Sequence, residues 1–333
     1  MIPVPQAEDD DHKTALFKTL WVIHSGEIYG TIGKLIVDLV GIIFIILTLT
    51  GLIYFLVPHT LKRIKEEAKS KLKRLNRFSL RWHNKTGAWM VLILLLTTLT
   101  GMFLRPPLLI PVAQARVAKI KFSELDNSNP WFDKFRDMIW DDAGHRLIIA
   151  SNEGIYYSGE RFRTDLKRFS IQPPVSVMGI TVLERGVEGG FLIGSFSGIF
   201  QWNPDQGKVI DYITKTAYIE NGQNGPPFDS VTVAGYIRRP DERELLFDYA
   251  GGCFPCNDGD RLPEMPFCIL VASPISLWNT ALEVHTGRIF EPFLGPFYIL
   301  FVPLCGLAIL MIQITGFFSW WLAKKKKKAG KKS

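Results

Sequence analysis

The feature that most restricts what this 333-residue chain can become is the gathering of its apolar residues into three runs, 35–57, 87–104 and 293–322. Stretches such as GIIFIILTLTGLIYFLV and WMVLILLL carry no charge. Crossing a hydrocarbon layer takes roughly 20 apolar residues of helix. Each run meets that length once the second is extended back to His83. Lipid offers no hydrogen-bond partners, so a spanning segment must satisfy its own backbone, which a helix does. The sequence therefore predicts a membrane protein with three transmembrane helices. The third run is the longest, so it either tilts or begins in the interface.

Charge sets the topology. Between His59 and Trp82 nine Lys or Arg face only Glu66 and Glu67, and the tail 324–333 adds seven lysines and no acid. These two stretches account for the net charge of +7; elsewhere acids outnumber bases. A basic surface of this kind could serve nucleic acid, but both clusters directly flank apolar helices, which is the positive-inside pattern. The bilayer, with its anionic lipids, is the expected partner, and no nucleic acid is. The predicted order is an extracytoplasmic tail and interfacial segment (1–34), transmembrane helix 1 (35–57), a basic cytoplasmic loop (58–82) and transmembrane helix 2 (83–104). An extracytoplasmic β-rich domain (105–290), transmembrane helix 3 (291–323) and a cytoplasmic lysine tail (324–333) complete it. The amino terminus then lies outside. Residues 1–20 lack a basic start followed by an apolar stretch, so no signal peptide is expected. The acidic AEDDD at 7–11 is short enough to cross with the first helix. The fold class is a three-helix transmembrane α bundle with an inserted extracytoplasmic β-rich domain.

Within that domain LIIASNEGIYYS (147–158) resembles FLIGSFSGIFQW (191–202). Each pairs an apolar strand with a Ser- and Gly-containing turn and a second, aromatic strand. Hairpins repeating at about 40–50 residues occur in propeller blades, but two copies cannot close a ring, so a small duplicated β-sheet unit is expected. Asp141, Asp142, Asp258 and Asp260 read as turn residues, and no Ser/His/Asp set or phosphate loop is visible. Four cysteines are present. CFPC at 253–256 is followed by Asn257, not the His of covalent haem attachment. In an oxidising compartment a Cys253–Cys256 disulfide is the default. Cys305 reads as a small packing residue in the third helix.

The six histidines fall at 12, 24, 59, 83, 145 and 285. His12 and His145 belong to a polar tail and a turn. The other four stand at ends of the apolar runs, where an ionisable group invites a functional hypothesis. A pattern recurs three times: HSGEIYG (24–30), RWHNKTGAWM (81–90) and EVHTGRIF (283–290) lead into runs that close on TLTG (48–51), TLTG (98–101) and QITG (313–316). In the second copy His83 and Gly87 stand four residues apart, which leaves room for a flat group on one helix face. Neutral imidazole ligates haem iron, and two helices at one depth can supply two ligands. His24 and His285 meet that requirement; His83 has His59, or a histidine of a partner chain, as candidate mate.

HSGEIYGTIGKLIVDLVGIIFIILTLTG, RWHNKTGAWMVLILLLTTLTG and EVHTGRIF…IQITGFFSWW resemble the PepSY-associated transmembrane-helix family of bacterial inner-membrane proteins, which includes ferric-siderophore reductases. The resemblance covers the helices and their approaches. It implies an inner-membrane location, haem b held through His24, His83 and His285, a quinol or flavin donor and a ferric chelate as acceptor. His59 matches no motif position. Family members usually begin with a further histidine-bearing helix, which here a partner subunit or a homodimer would have to supply. The competing readings are a non-enzymatic membrane-anchored subunit presenting its β domain to an envelope complex, and a thiol relay through Cys253 and Cys256.

Overall fold

The computed structural model describes residues 12–329 apart from 62–65, 114, 128, 130, 133, 160–165, 177–178, 187–188, 219–230, 240–243, 250–251, 257–267, 269–271 and 273. The acidic stretch 7–11, Asp258, Asp260 and the last four residues lie outside the described residues. The chain divides into two compact units, one of Thr14–Asp126 with Ile275–Ser333 and one of Asn127–Pro274 with Met1–Lys13.

The first unit is helical. α1 (Leu16–Ser25) leads through a 3-10 turn into α2 (Gly30–Leu61), and α3 (Glu66–Met102) returns. α4 (Leu277–His285) precedes three short helical turns (Arg288–Phe290, Glu291–Leu294 and Gly295–Leu300) and α5 (Phe301–Ala329). Three segments, Glu27–Leu61, Ala68–Met102 and Arg288–Lys327, are long and apolar enough to cross a membrane. α3 packs against both α2 and α5, which places it in the middle of the three. The basic stretch expected as a loop over 58–82 is largely helix: Lys, Arg and Leu are good helix formers, and no Gly or Pro interrupts Glu66–Lys85. Glycines set the closest approaches. A Cβ on Gly306 of α5 would meet Met102 Cγ of α3 at 2.2 Å.

The second unit consists of three antiparallel meanders: β3–β6 (135–168), β7–β10 (180–211) and β11–β13 (233–255). The short ribbon of β1 (Lys13–Ala15) and β2 (Arg116–Ala118) stands apart from them. The related sequences of 147–158 and 191–202 occupy equivalent places, the second and third strands of their four-stranded sheets. Their turns share a device: Ser151 Oγ accepts from the amides of Glu153 and Gly154, and Ser195 Oγ from that of Ser197. Ile148, Ala150 and Ile155 of the first sheet pack with Phe191, Ile193, Phe200 and Trp202 of the second. The alternate residues Val182, Leu192 and Ile199 pack on Val233, Tyr236 and Leu246 of the third. The middle sheet is therefore covered on both faces, which is why all five residues of β8 (Phe191–Ser195) are buried and read as a continuous apolar run. Three such sheets in succession extend the expected duplicated unit. This unit is also narrower than 105–290, because 105–126 and 275–290 fold with the helices; Leu125, for example, is buried against Val22 and Ile28.

The expected Cys253–Cys256 disulfide is not formed; both are free thiols. Phe247 pairs with Cys253 and Leu245 with Pro255, so the chain is extended here. Three residues of strand span about 10 Å, beyond the roughly 4.4–6.8 Å between Cα atoms that a disulfide bridges. Burial, with Glu244 nearby, pushes the Cys256 thiol up to about 11, and burial also raises Cys253. Neither is the depressed, reactive thiolate that a relay requires. Cys305 is exposed on α5 rather than packed.

Candidate haem-ligand site

The helical unit brings together the histidines at one end of its helices. His24 stands in the last turn of α1 and His285 in that of α4. Each helix is stopped by a glycine in the left-handed region, Gly26 at φ +78° and Gly287 at +76°, a conformation that costs glycine little. At Gly26 there is no room for a side chain either: a Cβ would lie 2.2 Å from the Gly33 carbonyl oxygen. The HSG and HTG words are thus helix stops that leave a histidine at the turn. The two imidazole rings lie 6.0 Å apart, centroid to centroid, tilted by 37°.

His24 is fixed from behind by α3. Its Nδ1 lies 3.0 Å from the Thr97 carbonyl oxygen and 3.4 Å from Thr100 Oγ1. A carbonyl can only accept, so the proton sits on Nδ1 and Nε2 keeps its lone pair. Gly101 supplies the space: a Cβ there would meet His24 Cε1 at 2.6 Å. Burial holds His24 below its ordinary value; the neighbouring His285 acts in the same direction and the Thr97 bond opposes it. A neutral imidazole with a free Nε2 is the form that binds metal.

The other end repeats the arrangement with the helices exchanged. His83 of α3 sets its Nδ1 3.1 Å from the Leu47 carbonyl oxygen and 3.1 Å from Thr50 Oγ1 of α2. A Cβ on Gly51 would lie 3.3 Å from its ring. The offsets match those around His24: carbonyl, threonine three residues on, glycine next. His59 does not join this group. It turns back on its own helix, with Nδ1 3.0 Å from the Phe55 carbonyl oxygen and its ring 5.4 Å from that of Phe55. It lies eight residues past Gly51, roughly 12 Å along the axis.

Of the expected ligands, then, His24 and His285 meet, His83 is seated elsewhere by an equivalent device, and His59 stands alone. Among the described residues no three His, Cys, Asp or Glu side chains gather as a metal cluster. The space foreseen beside Gly87 is occupied instead, with a Cβ there 3.7 Å from Leu47 Cδ2. The glycines that accommodate a flat ring are Gly51 and Gly101, across the helix interface. The repeated TLTG word was the available signal, although pairing each copy with a histidine of another helix needs the packing.

Two imidazoles facing each other across about two iron–nitrogen bonds of roughly 2 Å each, plus the depth of the rings, would have centroids near 6 Å. The observed separation fits that requirement, and the Thr97 carbonyl provides the outer hydrogen bond that orients a ligating histidine. In the second unit Glu244 is a buried carboxylate, which accepts from Tyr212 and from Arg238 Nε at 3.0 Å. Burial alone would raise this carboxyl; hydrogen bonds from Tyr212, Tyr236 and Arg238 outweigh it and hold the group low. That network is internally satisfied and ties β12 (Glu244–Asp248) to its neighbours.

A search of the curated proteins finds no match. The family model described as PepSY-associated TM region matches residues 5–323, nearly the whole chain. The chain belongs to that family.

Proposed function

We propose that this member of the PepSY-associated family is a haem b protein that moves electrons across the bacterial inner membrane. His24 and His285 would hold its iron, and a ferric chelate on the outer side would be the acceptor. The observation that carries the reading is the 6.0 Å meeting of these two rings, with His24 held in the metal-binding tautomer by Thr97. When bound, haem b supplies one-electron chemistry at its iron. The chain's own residues bind and orient. Gly101 admits the His24 ring, Thr97 and Thr100 set its direction, and the left-handed turns at Gly26 and Gly287 end α1 and α4 at the ligands. No acid–base residue is required, because outer-sphere transfer makes and breaks no bond to substrate. His83, seated with the same tautomer, is a candidate ligand at the basic end of the helices. A quinol or flavin fits as donor there, with the basic segments cytoplasmic under the positive-inside pattern.

The test is a dithionite-reduced minus oxidised visible spectrum of the detergent-purified protein, beside His24→Ala, His285→Ala and His59→Ala. Sharp b-type bands lost in the first two variants and kept in the third are expected. Absence of haem after expression with ample haem would overturn the reading. The helices would then be a membrane anchor for the three stacked sheets.

A further inference from the structure

Asp38 is an acid on the exposed side of α2, and the packing of the helices sets its depth. By hydropathy alone it would stand at the membrane surface, because Leu39–Val57 is uncharged and long enough to span. The contacts of α3 move it inward. His83 meets Leu47 and Thr50, so this part of α2 lies level with the end of α3's apolar run, where Arg81 and Lys85 stand. On the other flank Gln313 of α5 meets Thr98; eleven residues on is Lys324, and eleven back is Gly87. The charges of both neighbours thus fix one edge of the hydrocarbon near Leu47 of α2. Asp38 is nine residues from Leu47, about 13 Å along the axis, near the middle of a core of roughly 30 Å. Tilt does not remove the offset: helices about 8–10 Å apart, tilted by about 20°, slide past one another by about 3 Å. Placing Val57 at that edge instead would draw Arg81, Lys85 and the first lysines of α5 into lipid in exchange for one carboxylate.

A carboxylate at this depth is costly unless it is paired. The surface of α2 is divided around it. Leu35, Leu39, Ile42, Ile46 and Leu49 form an exposed row that suits lipid. The row one residue earlier has the same alternating spacing of four and three but reads Lys34, Asp38, Gly41, Ile45 and Thr48, all exposed. That spacing is the seam of two helices packed along their length. At Gly41 a Cβ would meet nothing within 4 Å, so a second backbone can come close beside the carboxylate. Lys34 bonds Glu27 at 3.2 Å, which uses one of its three donors. Asp38 has no hydrogen bond or ion pair among the described residues.

We propose that this row is the contact face for a second copy of the chain, α2 beside α2 in parallel, with Asp38 of each copy bonded to Lys34 of the other. The occupant follows from charge. A lipid chain or an apolar helix would leave the carboxylate unpaired. Copies inserted in one direction bring equal depths together, and each carries an acid and, one turn away, a cation with donors to spare. The face is therefore complementary to itself, as an isologous contact must be. No histidine takes part, and the inference holds whether or not the protein binds haem.

The test uses the full chain with its four cysteines changed to serine and one cysteine introduced. It stands either on the charged row (Gly41→Cys, Ile45→Cys, Thr48→Cys) or on the apolar row (Ile42→Cys, Ile46→Cys, Leu49→Cys). Membranes are oxidised with copper phenanthroline and run on non-reducing gels. A dimer band from the first three variants and background from the second three are expected. In the Ile45→Cys chain, Asp38→Lys and Lys34→Asp should each lose the band, and the two together should restore it. Should a reversal fail to reach the membrane, Asp38→Leu, which suits hydrocarbon, should lose the band as well. Equal bands from both rows, no band from the charged row, or a band that survives Asp38→Leu would overturn the proposal. So would a double reversal that stays unlinked, or an adduct with another protein at the charged row.

Discussion

In the β-rich unit Trp202 is fully buried, its ring edge-on to Phe169 at 4.7 Å and its Nε1–H bonded to the Ile171 carbonyl. In the helical unit the large apolar side chains point the other way; Trp89 is 82% exposed and Leu92 77%. Water explains the first arrangement and hydrocarbon the second. Around the sheets, apolar area removed from water drives packing. Between helices in lipid that drive is missing, so cohesion passes to glycine contacts, to the histidine seats and to bonds such as Gln313 Nε2 to Thr98 Oγ1 at 3.1 Å. Serine, threonine and glycine shape turns in one unit and join helices in the other.

The contrast is tested most severely at Trp202. Trp202→Ala should cost the β-rich unit about 3–5 kcal/mol, read as a lower midpoint for proteolysis of 127–274 in urea. Any haem spectrum should be unchanged. A joint loss of both would show that the units are not separately stabilised.

Gly101→Leu is the converse. Its side chain would occupy the His24 ring position, and haem retention should drop about 10–100-fold, the usual cost of losing a ligand's orienting contact, with the sheets intact. Retention at the parental level would mean that Gly101 is only a packing residue.

Glu244 adds a pH dependence confined to the sheets. Its folded value lies below the ordinary 4.5, so its contribution is complete above the unfolded value and is lost as pH falls through the lowered one. Glu244→Gln should destabilise the unit by about 1–3 kcal/mol near neutral pH by weakening the acceptor for Tyr212 and Arg238. The difference from the parent should shrink on acidification below the ordinary 4.5. Protease-resistance midpoints from neutral to acid pH measure it; a constant difference would place the destabilisation elsewhere.

The smallest effect belongs to Gln313→Leu. Interhelical hydrogen bonds in membranes average about 0.6 kcal/mol, and Gln313 Oε1 has no partner to lose. Thermal unfolding in detergent should shift only slightly, and a large shift would make the α3–α5 contact polar at heart.

Some of this architecture is written locally. Uninterrupted apolar length dictates spanning helices because only a helix satisfies its own backbone in lipid. HSG and HTG are legible as recurring words, and the match between 147–158 and 191–202 marks equivalent hairpins because strand, serine turn and strand are contiguous in sequence. The candidate pair His24 and His285 was also foreseeable, since both approach helices of the same polarity. The length of α3 was not, because its basic first half reads as loop by charge while its residues favour helix. Nor was the solitary position of His59, which depends on its depth along α2, or the extended run through Cys253 that keeps the two thiols apart. Only the packed structure decided which Thr–Gly pair holds which histidine. Composition and periodicity describe each helix by itself, whereas a seat is made where a carbonyl and a missing side chain on one helix meet a ring carried by another.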